Sequence, residues 1–269
     1  MPWPYQTHGD PLHPPVLFLH GFLGAGDDWL RVVGELSRSY FCVLPDLPGH
    51  GGNIDQPLTT PLSFDTLNND LFALLEHLQL PRAHLVGYSM GGRTALNFAV
   101  HHPDRVASLT LENASPGITD PDERRARAAE DDHRAASIRT GGGGSLRRAL
   151  VYPATIPFSE SASHGSGGDH RPAQGQPSRL DCEGDLRPKP GPQTPVWDRL
   201  SRLKMPVMFV AGALDEKYAQ LGKQIIARIP HARLAIIPEA GHNVHLEQPE
   251  RFANLVHEFL TWADTIPTL

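Results

Sequence analysis

"HLVGYSMGGRTAL", residues 84–96, puts a serine between glycines at the end of an apolar run and immediately before a helical pattern. Gly87-Tyr88-Ser89-Met90-Gly91 fits G-x-S-x-G, a spacing in which the serine occupies a tight strand-to-helix turn with its hydroxyl exposed. Side chains on the flanking glycines would clash in such a turn, so the strain explains the residue types as well as the spacing. The stretch predicts a strand, a sharp turn and a helix. It also raises a question, because Arg93 lies four residues past the serine, in the first turn of that helix. Simple ester hydrolysis has no evident need of a cation there.

The same alternation extends in both directions. "VLFLH" (16–20) precedes "DDWLRVVGELSRS", and "FCVLPD" (41–46) precedes a glycine-rich turn. In "FDTLNNDLFALLEHL", Leu67, Leu71, Leu74, Leu75 and Leu78 mark one face of a helix. "VASLTLEN" (106–113), "PVMFVAG" (206–212) and "RLAIIPEAGH" are further strand-like runs, the last two followed by "KYAQLGKQIIARI" and "PERFANLVHEFLTWA". Several runs are continuously apolar, as expected of parallel strands covered on both faces. The expected fold class is α/β, a mostly parallel central sheet with helices on both sides.

The 269 residues carry 39% hydrophobic and 20% charged residues and a formal net charge of −6. Both signs are interspersed, which favours neither a nucleic-acid partner nor an anionic membrane surface. The 15 histidines are scattered and form no pair at metal-ligand helical spacing within an apolar face, so no metal site is expected. Cys42 lies in an apparent core strand and Cys182 in a polar tract, which argues against a disulfide framework and for a reducing compartment. The N-terminal "MPWPYQTHGDPLHPP" lacks the pattern of a signal peptide, and no apolar run approaches a membrane span. The expected location is the cytoplasm. Oligomeric state is not legible.

If Ser89 is a nucleophile or base, its partners should follow in the order acid, then histidine. Asp215 comes just after "PVMFVAG" and His242 just after "RLAIIPEAG", both at C-terminal strand ends, where ligands bind in open α/β sheets. His242 would take the serine proton while Asp215 fixes the imidazole tautomer. Glu216 is the rival acid and His245 the rival base, the latter equally readable as a surface residue. The loop "HGFLGAGDDW" after the first long strand would supply an oxyanion hole from the backbone N–H groups of Phe22 and Met90. Singly, Ser89 reads as a helix cap, Asp215 as a loop cap and His242 as a surface histidine. Together, in the right order at the right strand ends, they read as a triad.

A guanidinium near the serine suits a carboxylate-bearing substrate, because its fork matches two oxygens at once. Asp120, Pro121 and Glu123 have the pattern of a helix start, and residues 120–135 read as a helix. On it Arg124 and Arg127 lie three apart and share a face, with Arg125 and Arg134 elsewhere. The competing reading is a solvated basic face balanced by Glu123, Glu130 and Asp131.

"FLHGFLGAGDDW", "DLPGHG", "LVGYSMGGR", "ENASPGITDPDERRAR" and "AGHNVHLEQP" resemble the 2-succinyl-6-hydroxy-2,4-cyclohexadiene-1-carboxylate synthases, a family with the α/β-hydrolase fold. The resemblance covers residues 15–135 and 195–262. It implies a lyase of menaquinone and phylloquinone biosynthesis that uses its triad as a general base and expels pyruvate from a small tricarboxylate, without a cofactor. By resemblance Tyr88, Arg93 and Arg127 match substrate-binding positions, and Arg124 matches less closely. A serine hydrolase of an acidic ester or C–C bond, and a catalytically silent binding protein, remain as alternative readings.

One tract departs from the family. Residues 141–195 hold ten glycines and eight prolines in 55 residues with little apolar periodicity. The expected organisation is one domain over 1–269, with its core at 15–118 and 196–263 and a lid insertion at 119–195, irregular over 140–195. The family's lid carries a motif close to Trp-Tyr-x-Gln-Pro-Leu-Phe, absent here. Read from the second nucleotide of the Leu150 codon, permitted codons for "LVYPATIP" spell Trp-Tyr-Thr-Gln-Pro-Leu-Phe. A shifted reading frame and a genuine insertion are the two explanations, which the nucleotide sequence separates.

Overall fold

The computed structural model describes residues 3–53, 63–127, 129 and 193–266. The expectations for residues 140–192, including the frame shift, lie outside them, as does most of the predicted helix beyond residue 127.

The strands are β1 (Tyr5–His8), β2 (Pro15–Leu19), β3 (Phe41–Pro45), β4 (Ala83–Tyr88), β5 (Val106–Glu112), β6 (Val207–Gly212) and β7 (Arg233–Ile237). They form one sheet in the order β1-β3-β2-β4-β5-β6-β7. β1 runs antiparallel on β3, and the other pairings are parallel. β1 was not anticipated: its four residues, YQTH, are partly exposed and carry no apolar run, and their pairing with Cys42–Pro45 defines them.

The helices are α1 (Leu30–Leu36), α2 (Phe64–His77), α3 (Met90–His101), α4 (Glu216–Ile226), α5 (Val244–Glu247) and α6 (Pro249–Asp264), with a further helical segment over 121–127. Alternate side chains of the sheet feed two cores. Leu17, Leu19, Leu85, Leu109, Leu111 and Phe209 pack beneath α2 and α3, which add Leu67, Leu71, Ala95 and Phe98. Val16, Phe18, Val86, Met208 and Val210 meet α1 and α6 through Val32, Val33, Phe252, Val256 and Phe259. Strands buried on both faces explain the continuous apolar runs.

α2 starts where Ser63 accepts a hydrogen bond from Thr66 N–H and Thr66 Oγ1 accepts one from Ser63 N–H. The 121–127 segment starts on Asp120, whose Oδ1 accepts from the N–H groups of Asp122 (2.8 Å) and Glu123 (2.9 Å). Residues 193–195, expected to belong to the irregular insertion, sit against the body. Val196 N–H donates to Pro116 O (2.8 Å) and Trp197 Nε1–H to Gly117 O (2.8 Å), while Gln193 is buried. No helix among the described residues is long and apolar enough to cross a membrane.

Candidate active site

β4 delivers Ser89 to the C-terminal edge of the sheet, and α3 begins at the next residue. Ser89 has φ 49° and ψ −107°, a strained conformation for a residue with a side chain. Two backbone bonds hold it: Ser89 N–H donates to Glu112 O (2.9 Å) at the end of β5, and Arg93 N–H donates to Ser89 O (2.9 Å). The glycines are there for close approach. A Cβ on Gly91 would overlap the carbonyl oxygen of Leu19, and one on Gly92 would lie 2.6 Å from Ala114 Cβ.

Asp215 follows β6 and caps α4, its Oδ1 accepting from Tyr218 N–H (3.2 Å). Its Oδ2 lies 2.7 Å from His242 Nδ1. A carboxylate only accepts, so the imidazole carries its hydrogen on Nδ1 and leaves Nε2 as a proton acceptor. Burial pushes the Asp215 pKa up, but the bonds from His242 and Tyr218 N–H outweigh it and hold the group below its usual value.

The His242 loop is tied down along its length. Gly241 N–H and Asn243 N–H donate to the Glu247 carboxylate (2.6 and 3.0 Å), and Asn113 Nδ2 donates to His242 O (2.7 Å). Glu112 and Asn113, consecutive at the end of β5, thus anchor the backbones of Ser89 and His242 respectively. Among the hydrogen bonds of the described residues there is none from the Ser89 hydroxyl to His242. Such bonds often tighten only when substrate arrives.

Phe22 and Met90 flank this edge from two elements. Met90 is the first residue of α3, so its N–H lacks an intrahelical acceptor. Phe22 lies in the turn after β2, where Leu23 takes φ 63°. The turn and the elbow are in close contact, since a Cβ on Gly21 would overlap the Tyr88 ring. His20 pins this loop: its Nε2 accepts from Leu47 N–H (3.0 Å), which leaves Nδ1–H to donate to Gly21 O (2.8 Å).

Arg93 projects from the first turn of α3. Its Nε–H donates to Gln193 Oε1 (2.6 Å), and its guanidinium lies 5.1 Å from the centre of the Phe64 ring. Tyr218 packs on the His242 ring at 4.8 Å, and Tyr88 does so at 5.5 Å from another side. Burial raises the Tyr218 pKa, and the positive charges of Arg93 and Arg127 pull the other way. Arg124 behaves differently, donating from Nη2 to Thr119 O (3.0 Å) on its own segment. Arg125 pairs with exposed Asp122.

A model described as alpha/beta hydrolase fold matches residues 14–135. A Serratia proteamaculans protein named 2-succinyl-6-hydroxy-2,4-cyclohexadiene-1-carboxylate synthase is 31% identical over 94% of this chain and 95% of its own length. A Bacillus subtilis protein provisionally designated with the same name is 34% identical over 91% and 90%. The chain belongs to the 2-succinyl-6-hydroxy-2,4-cyclohexadiene-1-carboxylate synthase family. The solved structure of MenH from S. aureus superimposes with a TM-score of 0.76 at 25% identity, covering 97% of this chain and 99% of that one.

Within this synthase-family fold the rival residues fall away. Glu216 is exposed on α4. His245 is neither a surface residue nor placed as a base: it is buried, stacked on Trp29 at 4.2 Å, and bonded through Nδ1 to Glu112 (2.8 Å). Sequence reasoning missed Tyr218, Gln193 and the Glu112–His245 pair. Tyr218 had a local signal, since a residue three positions after a helix-capping aspartate sits beside whatever that aspartate binds. Gln193, in a glycine- and proline-rich tract, had none.

Proposed function

We propose that this chain is a carbon–oxygen lyase of menaquinone or phylloquinone biosynthesis. Its reaction eliminates pyruvate from 2-succinyl-5-enolpyruvyl-6-hydroxy-3-cyclohexene-1-carboxylate to give 2-succinyl-6-hydroxy-2,4-cyclohexadiene-1-carboxylate. The observation that carries this reading is Arg93, fixed by Gln193 one helical turn beyond Ser89, in a member of this family that also holds the Asp215–His242 pair. That arrangement joins a base to a binder of anions.

His242 Nε2 draws the proton from Ser89, and the resulting alkoxide removes a ring proton of the substrate. The C–H electron pair forms a C2=C3 double bond, the existing C3=C4 pair shifts to C4=C5 as the C5–O bond to the enolpyruvyl group breaks, and the imidazolium returns its proton to the departing enolate. Tautomerisation then yields pyruvate. Asp215 holds the imidazolium, and the N–H groups of Phe22 and Met90 with the cations Arg93 and Arg127 offset the negative charge that develops. Tyr88 and Arg124 border the substrate. The free, buried thiol of Cys42 accords with a cytoplasmic setting.

The test is pyruvate release from the enolpyruvyl substrate, run beside hydrolysis of a simple ester. Pyruvate release by wild type, lowered by a factor on the order of 10²–10⁴ in Ser89→Ala, is the expected result. Ester turnover without pyruvate release would replace the lyase by a hydrolase.

A further inference from the structure

Gln193 is 1% exposed, and the backbone just beyond it is fixed by the bonds from Val196 N–H and Trp197 Nε1–H to Pro116 and Gly117. Its Oε1 accepts the Nε–H of Arg93 at 2.6 Å. A guanidinium can only donate, so the amide orientation is determined: the reversed amide would set donor against donor. The Nε2 group therefore faces away from Arg93 Nε. It is buried and has no hydrogen-bond partner among the described residues.

A buried amide donor without an acceptor is costly, and such a group calls for an explanation. Its surroundings indicate which acceptor would satisfy it. The donor sits on the side chain that holds Arg93, one face of whose guanidinium is covered by Phe64. An acceptor drawn to that place by the guanidinium charge is an anionic oxygen. A carboxylate, with two oxygens in one plane, can meet the guanidinium with one and the amide with the other.

We propose that Gln193 contacts substrate, setting the plane of Arg93 through Oε1 and donating from Nε2 to a substrate carboxylate. This rests on the lyase reading for the identity of the substrate, though not for its carboxylate chemistry.

The experiment compares wild type, Gln193→Glu and Gln193→Met by steady-state pyruvate release, thermal unfolding and calorimetric titration with propane-1,2,3-tricarboxylate. Glutamate keeps an oxygen for Arg93 but turns the donor into an anionic acceptor. A KM raised at least about ten-fold, with kcat within about three-fold and Tm unchanged, is expected. Methionine loses both contacts, so KM rises and kcat falls together. A Gln193→Glu enzyme with wild-type KM would reduce Gln193 to a prop for Arg93 and overturn the proposal. If that variant does not fold, an unchanged KM in Gln193→Met overturns it equally. If wild type releases no pyruvate, the lyase reading fails and the titration decides. Tricarboxylate binding about ten-fold weaker in the glutamate variant sustains the contact, whereas equal affinity, or no binding by wild type, ends it.

Discussion

Glu112 and His245, 133 residues apart in the chain, are joined beneath the candidate active site. The Glu112 carboxylate accepts from His245 N–H (3.1 Å) and lies 2.8 and 2.9 Å from His245 Nδ1, with both side chains almost wholly shielded from water. His245 in turn stacks on Trp29 and touches Tyr88 at 4.8 Å. Removing one member of a buried pair leaves the other without compensation, a loss of about 3–5 kcal/mol. Glu112→Ala is expected to lower stability by that amount in denaturant unfolding. The double variant Glu112→Leu/His245→Leu should be the more stable of the two, because neither polar group is then stranded. A single variant as stable as wild type would show that the pair is not coupled.

Asp215 selects the His242 tautomer, so Asp215→Asn should act on chemistry more than on fold. An asparagine offering its NH₂ to Nδ1 would move the ring hydrogen to Nε2 and block proton acceptance. The expected loss in kcat is on the order of 10²–10⁴, with the circular-dichroism spectrum retained. Ser89→Ala should fall in the same range. The double variant should be little worse than either single one, because the two act as a unit.

Arg93 makes an oriented contact through Nε, so charge alone should not replace it. Arg93→Ala and Arg93→Lys are both expected to raise KM about ten- to hundred-fold, the scale of one charged hydrogen bond. The lysine variant should recover little, since an ammonium cannot reproduce the fork. Full rescue by lysine would mean that only local positive charge matters.

Gly91 offers a steric test of the elbow. Its missing Cβ would overlap the backbone oxygens of Leu19 and His20, and backbone yields less readily than a side-chain tip. Gly91→Ala should therefore fail to fold or lose most of its activity, whereas Gly34→Ala, where a Cβ meets nothing within 4 Å, should be neutral or slightly stabilising in α1. Equal behaviour of the two would remove close packing as the reason for the elbow glycine.

The parallel strands were legible because burial on both faces leaves unbroken apolar runs, and Ser89, Asp215 and His242 because strand ends are the places where such a sheet exposes side chains. β1 was not legible, because an edge strand of four half-exposed residues is defined by its partner rather than by its own pattern. Glu112 passed unremarked at the end of "VASLTLEN", and His245 read as a rival base or a surface residue; that the two are buried against each other is a tertiary fact. Arg124 and Arg127 looked equivalent on a helical wheel. The fold separates them by turning Arg124 back to Thr119.

Acid stability carries a sign that two aspartates set in one direction and a third in the other. For Asp215, burial opposes ionisation but the His242 bond prevails, and for Asp264 burial is likewise outweighed by His84 at 3.0 Å, so both lie below the usual aspartate value of about 4. A carboxylate with a depressed pKa in the folded state contributes stability above its unfolded pKa and loses it as pH falls through the folded one. Asp70 is opposite: burial raises its pKa, only partly offset by the bond from Trp3 Nε1–H (3.4 Å), so ionising it destabilises the folded chain as pH rises through that raised value. Asp264→Asn should thus lower Tm at pH 7 and flatten the decline below about pH 4. Asp70→Asn should raise Tm at pH 7, with the gain shrinking toward pH 3. Thermal melts across that range, with the same slope in both variants as in wild type, would show that neither environment differs between folded and unfolded chains.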